Sequence, residues 1–239
     1  PGAVRMAGVA AMRVGAGLVT VAAGAQNLTA VTAAHPELIY LPLPPAPELG
    51  DALRVADVVA IGPGLGTGDF GRRLWGEVLR ARPPVVVVDA DALNLLAKEP
   101  VTLPAEWILT PHPGEAARLL GIETHAVQAD RLAAVRALHE RFGAICVLKG
   151  AGSLIAGGAG KDTEIWICDR GNPGMATAGM GDVLTGVIAG LRAQLDDSAL
   201  AARLGVLVHA LAGDSAARGG QRGLMASDVL SELRGWVNP

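Results

Sequence analysis

Aromatic side chains are scarce: two Phe, one Tyr and four Trp make up 3% of 239 residues, while hydrophobic residues of all kinds make up 51%. The core must therefore be aliphatic, built from Ala, Val and Leu, and a chain of this length can build one large domain or two small ones. Cysteine is nearly missing too. Cys146 and Cys168 each sit inside an apolar, strand-like run. That excludes a disulfide framework or a cysteine metal cluster and fits two reduced, buried thiols in a cytoplasmic protein. There is no basic block and the net charge is −3, which argues against nucleic acid as a partner. The uncharged run from Val14 to Ala34 has the length of a membrane span. It is broken by Gly15, Gly17, Gly24, Gln26, Asn27 and three threonines, so no membrane segment is expected. Arg5 and Arg13 interrupt the apolar stretch before it, which excludes a signal peptide. The chain opens Pro1-Gly2-Ala3 without Met, and the expectation is that its start is truncated or processed.

What is present alternates. Helical patterns are expected over Val4–Val14, Asn27–Ala34, Asp69–Ala81, Ala92–Lys98, Glu115–Leu120 and Asp130–Phe142, and then over roughly 180–195, 199–217 and 227–236. Strands are expected at Leu18–Ala22, Leu38–Leu43, Ala56–Ile61, Val85–Val88, Trp107–Leu109, Ala144–Leu148, Ser153–Ala156 and Glu164–Cys168. Pro42, Pro44, Pro45 and Pro47 mark a loop, and Gly157–Gly160 the turn of a hairpin. The four valines 85–88 read as a strand buried on both faces. This order predicts an α/β fold, with a mostly parallel sheet between helices, as one domain over 1–239. Ligands then bind at the carboxyl ends of the strands, where Gly62–Gly66, Asp89–Asp91, Thr110–Glu115 and Lys149–Ser153 fall.

The segment the chain turns on is GNPGMATAGMGDVLTG, Gly171 to Gly186, with five glycines and one Asp. The helical pattern Val183, Leu184, Val187, Ile188, Leu191, Leu195 starts within it, so the glycines feed a helix N-terminus, whose free N–H groups and partial positive charge suit an anion. Asp182 beside such a site is either a general base for a hydroxyl attacking phosphorus or a helix cap. Asp89 and Asp91 either hold Mg²⁺ or serve locally, Asp89 orienting a loop and Asp91 capping the next helix. His112, between two prolines, is presented to a ligand or is merely exposed, and Glu115 starts the following helix. Lys149 precedes its glycines, so Lys149–Ser153 is no Walker loop. It meets phosphate as a point charge or is a surface lysine. His139 and His209 read as structural, Asp214 as a solvated charge and Asp228 as a cap.

Taken together, GAGLVTVA (15–22), IGPGLG (61–66), VVDADALNLLA (87–97), LTPHPGEAARLLG (109–121), VLKGAGSLIA (147–156) and GNPGMATAGMGDVLTGVIAGL (171–191) resemble the ADP-dependent NAD(P)H-hydrate dehydratase family. The resemblance covers nearly the whole chain, in order. It implies a ribokinase-like three-layer α/β/α sandwich and dehydration of hydrated NADH or NADPH, the S epimer, with ADP or ATP as phosphoryl donor and Mg²⁺ as counter-charge. It implies that Asp182 is the catalytic base, with Gly179 and Gly181 supplying N–H groups to the phosphoryl group. Ala3, Gly64, His112 and Asp182 match substrate positions, and Lys149, Gly150, Ala151, Gly152, Ser153 and Gly181 match nucleotide positions. It further implies a homo-oligomer, tetrameric or larger, a fused or separate epimerase, and a first strand missing before Pro1. Three residues depart from the family's pattern: Ala178 where Gly is common, Met180 where Ser or Thr is common, and Ser153 for Thr. A small-molecule kinase on the same fold is the competing reading.

Overall fold

The computed structural model describes residues 1–44, 49–158 and 164–238. Pro45, Pro47 and part of the Gly157–Gly160 turn lie outside the described residues. The elements run α1 Gly2–Arg13, β1 Thr20–Gly24, α2 Leu28–Thr32, β2 Ile39–Leu43, α3 Gly50–Val55, β3 Val59–Ile61, α4 Asp69–Ala81, β4 Val86–Val88, α5 Ala90–Lys98, β5 Ile108–Leu109 and α6 Pro113–Leu120. Then come α7 Thr124–Ala129, α8 Arg131–Phe142, β6 Ile145–Leu148, β7 Ser153–Ala156, β8 Ile165–Cys168, α9 Met180–Arg192, α10 Ser198–Ala216 and α11 Ala226–Trp236. The short helices α3 and α7 were not anticipated, because six residues hold too few turns to show a period. The expected helix at 27–34 is a 3₁₀ turn followed by the five residues of α2.

The main sheet has the order β3-β4-β5-β6-β7-β8; β3 to β6 are parallel, and β7 and β8 return antiparallel as the hairpin. β1 and β2 pair in parallel as a separate two-stranded sheet. Alternation along the strands makes three layers. Val86, Val88, Leu109, Cys146 and Leu148 point into one core with side chains of α4, α5, α6 and α8. Val87, Ile108, Ile145 and Val147 point into the other, with Leu184 and Ile188 of α9 and Ala202 and Val206 of α10. The valine run is thus buried on both faces, as its composition predicts. Both cysteines are buried and unpaired.

α1 lies against α9 at backbone distance. A Cβ on Gly186 would sit 2.0 Å from the Ala7 carbonyl oxygen, and one on Gly190 2.6 Å from that of Ala11. Those two glycines are what bring the N-terminus of α1, and with it Ala3, beside the first turn of α9. Ser198–Gly219, α10 with the turn after it, is the one helix among the described residues long and apolar enough to cross a membrane by length and composition. Half of it is buried, packed against α9, α11 and the antiparallel strands as a core helix would be.

Candidate active site

The carboxyl ends of β4 and β6 face the N-terminus of α9. Asp89 follows β4 and is 1% exposed. Its Oδ1 accepts a hydrogen bond from Lys149 Nζ at 2.7 Å, and its Oδ2 accepts one from Thr185 Oγ1 at 2.8 Å. Lys149, just past β6, is therefore no surface lysine. It is turned inward, with Glu115 Oε2 3.8 Å away. A Cβ on Gly181 would lie 3.2 Å from Lys149 Nζ and 3.7 Å from Asp89 Oδ2, so the ammonium sits under the first turn of α9. Thr185 escaped the sequence reading; its only signal is a hydroxyl on the buried face of an apolar helix.

Gly179 precedes α9 in the left-handed region at φ 89°, a conformation that strains any other residue, and a Cβ there would also press on Met6 Cε at 2.8 Å. Asp182 occupies the first turn of α9, which starts at Met180, three residues before the apolar pattern begins at Val183. It accepts no hydrogen bond and forms no ion pair among the described residues, so it is not a cap. Burial, and then the charge of Asp89, push its pKa up to about 6, against the opposing pull of Lys149. A carboxylate with that pKa is ionised at pH 7 yet basic enough to accept a proton in a transition state. Met180 points away from the site into a core with Ala10 and Val183, so its lack of a hydroxyl does not alter the anion hole.

On the neighbouring strand ends, Gly62 (φ 126°) is required because a Cβ would overlap the Asp89 carbonyl oxygen at 1.7 Å. Gly66 N–H donates to Asp91 Oδ2 at 2.8 Å. Asp91 thus takes the loop-orienting role expected of Asp89, at the Gly62–Gly66 turn, while Asp89, at the N-cap position of α5, makes no side-chain capping bond. Ala3 and Gly64 come together, the Ala3 Cβ lying 3.4 Å from where a Gly64 Cβ would be. His112 caps α6, which starts at Pro113 rather than Glu115; its Nδ1 accepts from Gly114 N–H at 3.0 Å and Glu115 N–H at 3.4 Å. Nδ1 is the acceptor, so Nε2 carries the hydrogen, 3.3 Å from Glu115 Oε1. Burial lowers the His112 pKa, Lys149 and Arg118 lower it further, and Glu115 and Asp89 oppose them. The half-exposed ring is neutral at pH 7, a donor able to meet a carbonyl or hydroxyl.

In Lys149–Ser153, the Ser153 hydroxyl donates to the Gly150 carbonyl at 3.1 Å, and its Oγ lies 3.3 Å from the Gly150 N–H. Arg131 closes this loop from α8 and was not foreseen. Asp214 is not a solvated charge: it accepts from Gly171 N–H at 3.0 Å and Asn172 Nδ2 at 2.9 Å, which ties down the loop before α9. Asp228 caps α11 by accepting from Met225 N–H at 2.9 Å. His209 is buried against α9, and burial takes its pKa down to about 4, so it stays neutral. Among the described residues no three His, Cys, Asp or Glu side chains are grouped to hold a metal ion. With both oxygens of Asp89 engaged, the site fits a cation brought by a ligand's phosphates but not a resident one.

Residues 1–234 match the family described as NAD(P)H-hydrate dehydratase. The chain is 50% identical, along its whole length, to the bifunctional NAD(P)H-hydrate repair enzyme Nnr of Coxiella burnetii, of which it covers 48%. The chain thus spans about half the length of the bifunctional relatives it matches. It is 40% identical to the ADP-dependent (S)-NAD(P)H-hydrate dehydratase of Neisseria meningitidis, with 99% of this chain and 80% of that one covered. The ADP/ATP-dependent NAD(P)H-hydrate dehydratase of Bacillus subtilis, crystallised with ATP and Mg²⁺, superposes with a TM-score of 0.84 at 28% identity, over 99% of this chain and 84% of that one. The match over residues 1–234 and these likenesses settle the family: the chain belongs to the ribokinase-like NAD(P)H-hydrate dehydratase family.

Proposed function

We propose that this chain restores NADH and NADPH from their hydrated S forms, with ADP converted to AMP and phosphate. The observation that carries the reading is Asp182: unpaired, pKa raised to about 6, in the first turn of a glycine-led helix above Lys149. Asp182 takes the proton from the hydrate's hydroxyl, whose oxygen bonds to the terminal phosphorus of ADP as the bond to AMP breaks, the electron pair leaving with AMP. Backbone N–H groups from Gly179 to Gly181 and the Lys149 ammonium face the charge on the transferring group, which is where fixed donors lower a barrier most. Phosphate then departs with the carbon–oxygen electron pair while the adjacent carbon loses a proton, and the ring double bond returns. Ala3, Gly64 and neutral His112 hold the hydrate, and Lys149–Ser153 the nucleotide. Mg²⁺ would arrive on the nucleotide and supply counter-charge. The resemblance extends the reading to a cytoplasmic homo-oligomer working with an epimerase. With α1 packed on α9, an oligomer would use other apolar positions, such as exposed Leu18, Leu28 and Ile39.

The test is absorbance at 340 nm with hydrated NADH, Mg²⁺ and either ADP or ATP. A nucleotide-dependent rise is expected, and the faster nucleotide identifies the donor. Nucleotide binding without any rise would overturn the dehydratase reading in favour of a kinase acting on another hydroxyl.

A further inference from the structure

Arg131 opens α8 and reaches across to the loop after β6. Its Nη1 donates to the Ala151 carbonyl at 2.5 Å, and its Nη2 lies 3.3 Å from the Leu148 carbonyl and 3.5 Å from that of Lys149. One planar guanidinium therefore holds three carbonyls spread over four consecutive residues, a geometry its fixed fork of donors allows and an ammonium does not. The loop is shaped around it. Gly150 has φ 149°, and a Cβ there would lie 2.9 Å from Arg131 Nη2. Arg131 Nε is buried without a partner, a cost that the fold sustains while the other two nitrogens serve the loop.

The consequence lies on the other side of the loop. A peptide unit is planar and its C=O and N–H point in opposite directions. Turning the Ala151 carbonyl towards Arg131 turns the Gly152 N–H away from it. Gly150 is occupied internally by Ser153, and Lys149 N–H donates to the Pro111 carbonyl at 2.9 Å. Among the described residues this leaves the N–H groups of Ala151 and Gly152 without a partner in the chain.

We propose that Arg131 is the positioning residue of the nucleotide site. It locks the peptide planes that follow Leu148, Lys149 and Ala151 so that the Gly152 N–H group is presented to the nucleoside diphosphate, Ser153 holding the plane that carries the Ala151 N–H, and it touches no reacting atom itself. The proposal rests on the reading that Lys149–Ser153 holds the nucleotide. The experiment compares the wild type with Arg131→Lys and Arg131→Met. It reads the ADP dissociation constant by calorimetry, and the KM for ADP, the KM for hydrated NADH and kcat by absorbance. Both variants are expected to weaken ADP binding and raise its KM at least about tenfold. The KM for the hydrate should stay level and kcat at saturating ADP should stay within about twofold, a split that general loosening of the fold would not produce. Guanidinium ion added to Arg131→Ala should recover part of the ADP affinity. Should the Arg131 variants fail to fold, amide hydrogen exchange of the wild type with and without ADP reads the loop directly: protection of the Gly152 amide by ADP is expected, and none would overturn the proposal. An unchanged ADP dissociation constant in folded variants, or a fall in kcat with ADP binding intact, would overturn the proposal. A wild type that binds ADP but restores no NADH would sink the dehydratase reading alone, and one that binds no nucleotide would sink both.

Discussion

Two carboxylates stand on either side of Lys149, and the chain treats them in opposite ways. Asp89, at the end of a fully buried strand, has each oxygen engaged, one by the Lys149 ammonium and one by the Thr185 hydroxyl. Asp182, one helical turn from Thr185, is half-buried and has no partner, and its pKa has risen to about 6. The difference separates structure from chemistry. A buried ion pair with its lone pairs satisfied is a brace, whereas an unpaired carboxylate kept partly dry is held where its own ionisation is costly. The first acts on the second through charge, because Asp89 is among the causes that raise Asp182 and Lys149 restrains it.

The comparison breaks most sharply at Asp182. Asp182→Asn removes the only unpaired base in the first turn of α9, and kcat should fall by about 10²–10⁴, the span of general-base catalysis, with ADP affinity by calorimetry near wild type. Near-normal turnover in that variant would reassign the base. Asp89→Asn should act through stability instead. Removing one partner of a buried pair costs about 3–5 kcal/mol, read as a lower midpoint in urea, and the acid limb of the pH–rate profile should move down because a cause of the Asp182 rise is gone. An unchanged midpoint would show that the Lys149 pair is no brace. The smallest effect concerns the sign of Asp182's own contribution. Its folded pKa lies above its ordinary value of 3.8, so ionising it opposes folding; the penalty is full above about pH 6 and fades as pH falls towards 4. Asp182→Asn should therefore match or exceed the wild-type Tm at pH 8 by a few degrees, with the gap closing near pH 4. A lower Tm at pH 8 would mean that the carboxylate has a stabilising partner after all.

Much of this was legible in residue order. The run 85–88 could only be a doubly buried strand, and alternation with helical periods implied a parallel sheet with ligands at its carboxyl ends. The glycine-rich segment before Val183 marked a helix start with an aspartate in it. Less legible were features made by contact. Asp89 and Asp91 look interchangeable in sequence, which left metal binding and local roles open for both, because the deciding partners are Lys149 and Thr185 for one and Gly66 for the other. Asp214 looked like a solvated helix charge until the loop at Gly171 and Asn172 was placed against it. Arg131 stands in an ordinary helix start, and nothing local says that it reaches the loop at 148–151.

By itself, then, the sequence determined the layers, the strand ends where chemistry gathers and the glycine positions that let backbone approach an anion, since these follow from periodicity and from which residues tolerate positive φ. Only the tertiary structure decided which carboxylate is paired and which is left free. The pairing of Asp89 comes from neighbours 60 and 96 positions away along the chain, and the rise of Asp182 from burial and the Asp89 charge; distance in sequence carries no electrostatics until the sheet and α9 bring those residues together.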